Sequence, residues 1–246
     1  MSRRRGRMVL AAASTCAVLA VVALLAHRYL EAGSQPARAA RLASELGIRP
    51  GMTVAEIGAG YGGMAVEMAR VVGSRGQVYA TELGARQLDA IRSAARRANL
   101  GNLTVVVAGE HEANLPEGCC DAVYMQRVYH HLTDPAGIIA SVRHALKPGG
   151  RLALVEFEPN WIRNWSAPRG VPDRGGHGVP KGMLVREMRS FGFGLRGGIA
   201  EWPDWEYVAV FSTTTSDGLA SPRRATPAIP MVAGIDVLNP SLRPGA

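Results

Sequence analysis

Residues 54–63 read Val-Ala-Glu-Ile-Gly-Ala-Gly-Tyr-Gly-Gly, an acid embedded in an apolar stretch that runs into a glycine-rich turn. Glycines at 58, 60, 62 and 63 leave no Cβ between the backbone N–H groups and a ligand, and they tolerate the positive φ of a tight turn. Gly58, Gly60 and Gly63 also satisfy the G-x-G-x-x-G spacing of dinucleotide sites. A second acid, Glu82, follows about 20 residues later, where such sites hold a ribose. Two adjacent hydroxyls need a bidentate acceptor, and a carboxylate is one. These residues imply a nucleotide-type cofactor without deciding between a nicotinamide dinucleotide and another adenosine-bearing group.

Further along, Val128-Tyr129-His130-His131-Leu132-Thr133-Asp134-Pro135 places two imidazoles beside each other. Imidazole exchanges a proton near neutral pH, which makes His130 a candidate general base, although packing and turn formation are the commoner duties of such a pair. His177, in Gly175-Gly176-His177-Gly178, reads as an exposed loop residue within reach of a substrate. Trp161, Trp165, Trp202 and Trp205 either line an apolar acceptor site or pack the loop and hairpin that carry them. Of the three cysteines, Cys16 lies in an apolar run, and Cys119 and Cys120 are adjacent, as at the entrance to a strand. No ligand set with zinc spacing appears, so no metal is expected.

Positioning these groups takes a scaffold that gathers strand ends, and the chain alternates accordingly. Strand patterns are predicted at Thr53–Ile57, Gln77–Thr81, Leu103–Val107, Asp121–Met125 and Arg151–Phe157. Helices are predicted at Gly63–Val72, Ala85–Leu100 and Pro135–Leu146, the last ended by Lys147-Pro148-Gly149-Gly150. Such alternation predicts a parallel sheet covered on both faces. Glu158 to Gly182, rich in Gly, Pro, Trp and Arg, is too long for an ordinary connector and reads as a lid or substrate loop. A helix over Lys181–Phe191 and a hairpin of Phe193–Ala200 with Glu206–Ser212 close the domain.

Glu56 inside the first strand, the glycine turn, the Tyr-His-His-Leu-Thr-Asp-Pro segment and the Leu-Lys-Pro-Gly-Gly-Arg-Leu turn occur in that order. Together they resemble the class I S-adenosylmethionine-dependent methyltransferases, especially the small-molecule branch, over roughly Ala37 to Ser212. The resemblance implies an α/β fold: a Rossmann-like, seven-stranded, mostly parallel sheet with helices on both faces and a C-terminal antiparallel hairpin. It implies S-adenosylmethionine as cofactor, with Gly58, Ala59 and Gly60 against its methionine part. Glu56 would fix the turn and the amino end, Glu82 would take the ribose hydroxyls, and Leu83 would cover the adenine. The adenine amino group would meet Glu110 or Glu112, with Glu110 preferred. Gln126 would face the space between cofactor and acceptor. The acceptor would be a small molecule, apolar or membrane-resident. The alternative is a catalytically silent, membrane-tethered methyltransferase-like module that binds a partner.

Arg3, Arg4, Arg5 and Arg7 precede an uncharged apolar run from Met8 to Ala26. Its length, about 19 residues, approaches the roughly 20 that cross a bilayer as a helix. The expected organisation is a basic N-terminus over 1–7, an anchor or signal segment over 8–26, a linker over 27–36, the methyltransferase domain over 37–213 and a disordered tail over 214–246. An uncleaved anchor is preferred to export after signal cleavage, because the apolar core is long for a signal and ends at His27-Arg28-Tyr29. The arginines favour translocating the domain, whereas the cofactor is made in the cytosol, so the side of the membrane stays open. A net charge of +8 raises the question of nucleic acid. The arginines form no stripe interleaved with aromatics, which makes nucleic acid an unlikely partner.

Overall fold

The computed structural model describes residues 2–160 and 168–214, with side chains in the first helix described at 17–26, at 30 and from 35 onward. That helix, α1, runs from Ser2 to Leu46 with Pro36 inside it. The segment 27–36, expected as a linker, is therefore helical. Around Pro36 the chain spends one missing N–H and continues. Among the described residues no helix is long and apolar enough to cross a membrane. The run Met8–Ala26 enters the side-chain description only at Ala17, and the expected tail from 215 onward lies outside the described residues.

Seven strands follow: β1 (Thr53–Ile57), β2 (Gln77–Glu82), β3 (Leu103–Val107), β4 (Cys120–Gln126), β5 (Leu146–Phe157), β6 (Phe193–Trp202) and β7 (Glu206–Thr213). They form one sheet in the order β3-β2-β1-β4-β5-β7-β6. Strands β1 to β5 pair in parallel, while β7 is antiparallel to both β5 and β6. This is the expected Rossmann-like sheet with its C-terminal hairpin. Helices α2 (Gly63–Val72), α3 (Ala85–Arg97), α4 (Pro135–Ala145) and α5 (Lys181–Ser190) supply the crossovers.

Side chains alternate between the two faces with the period of two that strands impose. Val54, Tyr124, Ala153 and Val208 pack under α1, α2 and α3 with Leu42, Met68 and Ile91. Ala55, Val123, Leu152 and Ala209 pack against α4 and α5 with Ile139, Val142, Leu184 and Met188. Both faces are covered, which is why the central strands read as near-continuous apolar runs. Most element ends lie within a residue or two of expectation. The larger differences have local causes. α3 stops at Arg97, three residues before Leu100, because Asn99 turns left-handed at φ 53° and Leu100 N–H bonds back to Ala95. β5 begins at Leu146, since that residue already pairs with Cys120 before the Lys147-Pro148-Gly149-Gly150 irregularity.

The strand order reverses between β1 and β4. In open parallel sheets the crevice beyond the carboxyl ends of the strands at such a reversal is where ligands bind. Gly58 follows β1 and Arg127 follows β4 at that point.

Candidate functional site

A cleft of about 340 Å³ opens there, lined by Ile57 and Gly58 at the end of β1, Thr81, Glu82 and Leu83 at the end of β2, Ala108, Gly109 and Glu110 after β3, and Val128, His131, Leu132 and Thr133 after β4. Small-molecule sites occupy about 300–1,000 Å³, so the cleft is large enough for one extended ligand.

Glu82 organises its rim. One carboxylate oxygen accepts the Gly60 N–H at 2.8 Å, and the other accepts the Leu83 N–H at 2.9 Å. The acid thus ties the glycine turn to the end of β2. A carboxylate has about four lone-pair sites, and two remain for a diol. Gly58 and Gly60 both hold positive φ, at 69° and 55°. Their surroundings differ. A Cβ on Gly58 would lie 2.6 Å from a Val128 methyl, whereas one on Gly60 meets nothing within 4 Å. Gly58 is required by packing, and Gly60 leaves open space for a ligand.

Glu56 lies beneath the turn, buried, and accepts the Tyr124 hydroxyl proton at 3.0 Å across the paired strands β1 and β4. The Ala65 N–H in the first turn of α2 favours its charged form. Burial pushes its carboxyl up to about 8, the Tyr124 bond opposes that, and the negative Glu82 nearby adds to it. Glu56 therefore braces the turn from below. It is not among the residues lining the cleft.

The remaining expected residues divide. Leu83, more than half exposed, and Glu110 line the cleft, and Glu112 does not. Ala59 is buried in the core under α2, where its N–H bonds to Thr81 O, so it holds the turn and leaves the ligand to its neighbours. Gln126 departs from expectation. With its amide oriented so that the oxygen faces Arg38, it accepts from Nη2 at 2.6 Å and Nε at 3.2 Å, and it does not line the cleft. Arg38, buried on α1, also pairs with Glu206 and Asp204, and Glu206 pairs with Arg127. This network fastens α1 over the hairpin and draws Gln126 into it.

His130 departs as well. It is buried behind the cleft, with Nδ1 at 2.7 Å from the fully buried Glu156. The histidine that lines the cleft is His131, its ring centroid 4.1 Å from that of His130. Burial holds the His131 pKa below its ordinary value, and the neighbouring His130 and His177 lower it further. His177, expected to be exposed, is half-buried with its ring 4.9 Å from His130 and 5.3 Å from Phe157. The loop carrying it is fastened at several points. Val179 N–H bonds to Phe157 O, Tyr207 Oη donates to Val179 O at 2.6 Å, and buried Arg174 pairs with Glu187 on α5. Trp202 is buried and Trp205 is 90% exposed, so neither lines the cleft; Trp161 and Trp165 lie outside the described residues. Cys119 and Cys120 are free thiols at the start of β4, as their position suggests.

Glu156 and Arg38 went unnoticed in the sequence. Glu156 had a signal, as the one acid in the apolar run Leu152–Phe157. Arg38 had none, because its acidic partners lie more than 160 positions away.

With this geometry in place, the chain can be set beside known proteins. Residues 55–154 match the family described as "Methyltransferase domain". A C-methyltransferase of ubiquinone and menaquinone biosynthesis from Marinomonas sp. is 33% identical over 115 residues, 46% of each chain. The chain thus spans about half the length of the curated relatives it matches. A SAM-dependent methyltransferase structure from Aquifex aeolicus superposes with TM-score 0.61 at 20% identity, over 70% of this chain and 88% of that one. The [4+2]-cyclase SpnF superposes with TM-score 0.56 at 18% identity, over 68% and 64%. At these identities the superpositions show the fold, and the cyclase shows that the fold alone does not dictate the reaction. The matched region runs from β1 into β5, the part of the sheet that carries the cleft.

Proposed function

We propose that the chain is an S-adenosylmethionine-dependent methyltransferase acting on a small apolar acceptor at a membrane surface. The observation that carries this reading is the Glu82 carboxylate, held at the cleft rim by Gly60 and Leu83 with acceptor capacity to spare. The residues present fit the cofactor. Glu82 would hold the two ribose hydroxyls, Leu83 would cover the adenine, and Glu110 would meet its amino group. Gly60 would let the methionine part approach the backbone. Thr81 Oγ1 on the same wall is buried with no hydrogen-bond partner among the described residues, which leaves a polar atom for a ligand to satisfy.

When bound, the sulfonium supplies a methyl group already activated by positive charge. The chain has to align the acceptor in line with it and exclude water. Val128, Leu132 and Ile138 make the opposite wall apolar. His131 lines the cleft, where its ring faces the space for an acceptor. The open space at Gly60 together with the spare acceptor capacity of Glu82 argues against a silent binding module.

The relatives' acceptors, ubiquinone and menaquinone precursors by their names, support a quinol-like acceptor. The N-terminal helix supports the membrane. Val18, Leu19, Val21, Val22, Leu24 and Leu25 are each more than half exposed on it, and apolar surface of that extent calls for a lipid or protein cover. Anchoring through residues 8–26 would hold the cleft beside such an acceptor. The test is transfer of labelled methyl from S-adenosylmethionine into organic-soluble material of a membrane extract. Label dependent on the wild-type chain and lost in Glu82→Ala supports the reading; label confined to protein or nucleic acid overturns the acceptor class.

A further inference from the structure

An adjacent pair of histidines and a third 46 positions later in the sequence converge at the edge of the cleft. His130 and His131 belong to the 3-10 turn after β4, and His177 comes from the loop before α5. One ring nitrogen from each lies within 4.8 Å of the other two. Nδ1 of His130 is committed to Glu156 at 2.7 Å, and the His130 backbone N–H points at the same carboxylate. This fixes the ring and leaves Nε2 as the nitrogen available to a third body. An imidazole oriented by a buried carboxylate is the outer-shell arrangement that positions metal-bound histidines.

We propose that His130, His131 and His177 bind one divalent transition-metal ion of the zinc class, with Glu156 orienting His130 and the fourth position open toward the cleft. Three nitrogen ligands with one open position are the donor set of a catalytic rather than a structural zinc site. All-imidazole donors select zinc, copper or nickel over magnesium and calcium. Tetrahedral zinc with bonds of about 2.0–2.1 Å sets its ligand atoms about 3.4 Å apart, so from 4.8 Å the trio closes by up to about 1.4 Å on binding. Rotation of the His131 and His177 side chains can supply that movement, since neither is fully buried. Because His131 also lines the cleft, the ion borders the space assigned to the acceptor. Its open position suits an anionic oxygen or sulfur, a consequence that rests on the methyl-transfer reading. Ion binding itself does not depend on that reading.

Titration of the metal-free full chain with zinc alone, read by calorimetry and elemental analysis without cofactor, tests the site. One zinc per chain is expected, with no binding of magnesium under the same conditions. His177→Ala, a loop substitution, should weaken zinc binding by at least tenfold, and Glu156→Gln by about 10–100-fold through loss of ring orientation. Cobalt in place of zinc should show the visible absorption of a tetrahedral nitrogen site in the wild type and lose it in His177→Ala. A double Cys119→Ser, Cys120→Ser variant should bind as the wild type does. Absence of binding in the wild type, unchanged affinity in His177→Ala, or loss of zinc in the cysteine variant would each overturn the assignment. S-adenosylmethionine binding that persists alongside any of these results would leave the methyltransferase reading standing.

Discussion

Replacing Glu82 with alanine removes both carboxylate oxygens from the cleft rim. In the free protein those oxygens accept the Gly60 and Leu83 N–H groups at 2.8 and 2.9 Å, and in the complex they would each accept a ribose hydroxyl as well. A hydrogen bond to a charged group contributes about 1.5–3 kcal/mol where it is sheltered. The rim is half-exposed, and water replaces part of what is lost, so the pair should be worth about 2 kcal/mol. That corresponds to about a 30-fold loss of affinity. Glu82→Gln should fall close to the alanine variant. Its one amide oxygen cannot serve both backbone donors and a diol, and its NH₂ would face a donor. Calorimetric titration with S-adenosylmethionine reads the affinity, and thermal unfolding confirms the fold. An analogue lacking both ribose hydroxyls completes a thermodynamic cycle: it should bind the wild type weakly and lose little more in Glu82→Ala. Affinity of the folded alanine variant within twofold of wild type would refute the placement of the ribose.

Other perturbations separate support of the fold from contact with the ligand. Gly60→Val should fold and lose cofactor binding, because its side chain enters open space at a φ of 55° that a β-branched residue resists; normal binding by titration would count against the placement. Gly58→Ala should instead lower thermal stability, since its Cβ meets Val128 at 2.6 Å. The folded chain keeps a proton on Glu56 up to about pH 8, whereas the unfolded chain releases it near pH 4.3. Stability should therefore fall as pH rises between those values, by up to about 1.4 kcal/mol per unit, and urea unfolding of Glu56→Gln should show that slope removed. Arg38→Ala leaves buried Glu206 with Arg127 alone and should cost about 3 kcal/mol in urea unfolding; a cost under 0.5 kcal/mol would show that the network holds nothing.

The scaffold was legible because its signals are local. Apolar runs of five residues, glycine turns and the Asp134 cap, whose side chain accepts the Gly137 N–H, each act within a few positions. The glycine turn and Glu82 could be paired from spacing, and the structure joins them by a hydrogen bond. Residues whose role depends on partners brought by the fold were misread. Gln126 looked free at the end of β4, yet Arg38 reaches it from α1. His130 looked like the cleft-facing base, but the turn directs it inward to Glu156 and turns His131 outward. His177 has no neighbour in the sequence that announces its approach to them. The absence of a metal-ligand spacing was a statement about the chain, and the three histidines meet through the fold.

Binding of S-adenosylmethionine to the full chain, titrated by calorimetry against NAD under the same conditions, tests the central claim most directly. The account requires one saturable site for S-adenosylmethionine, competed by S-adenosylhomocysteine, and no heat with NAD. Saturable binding of NAD, or the absence of any S-adenosylmethionine site in the folded protein, would contradict it.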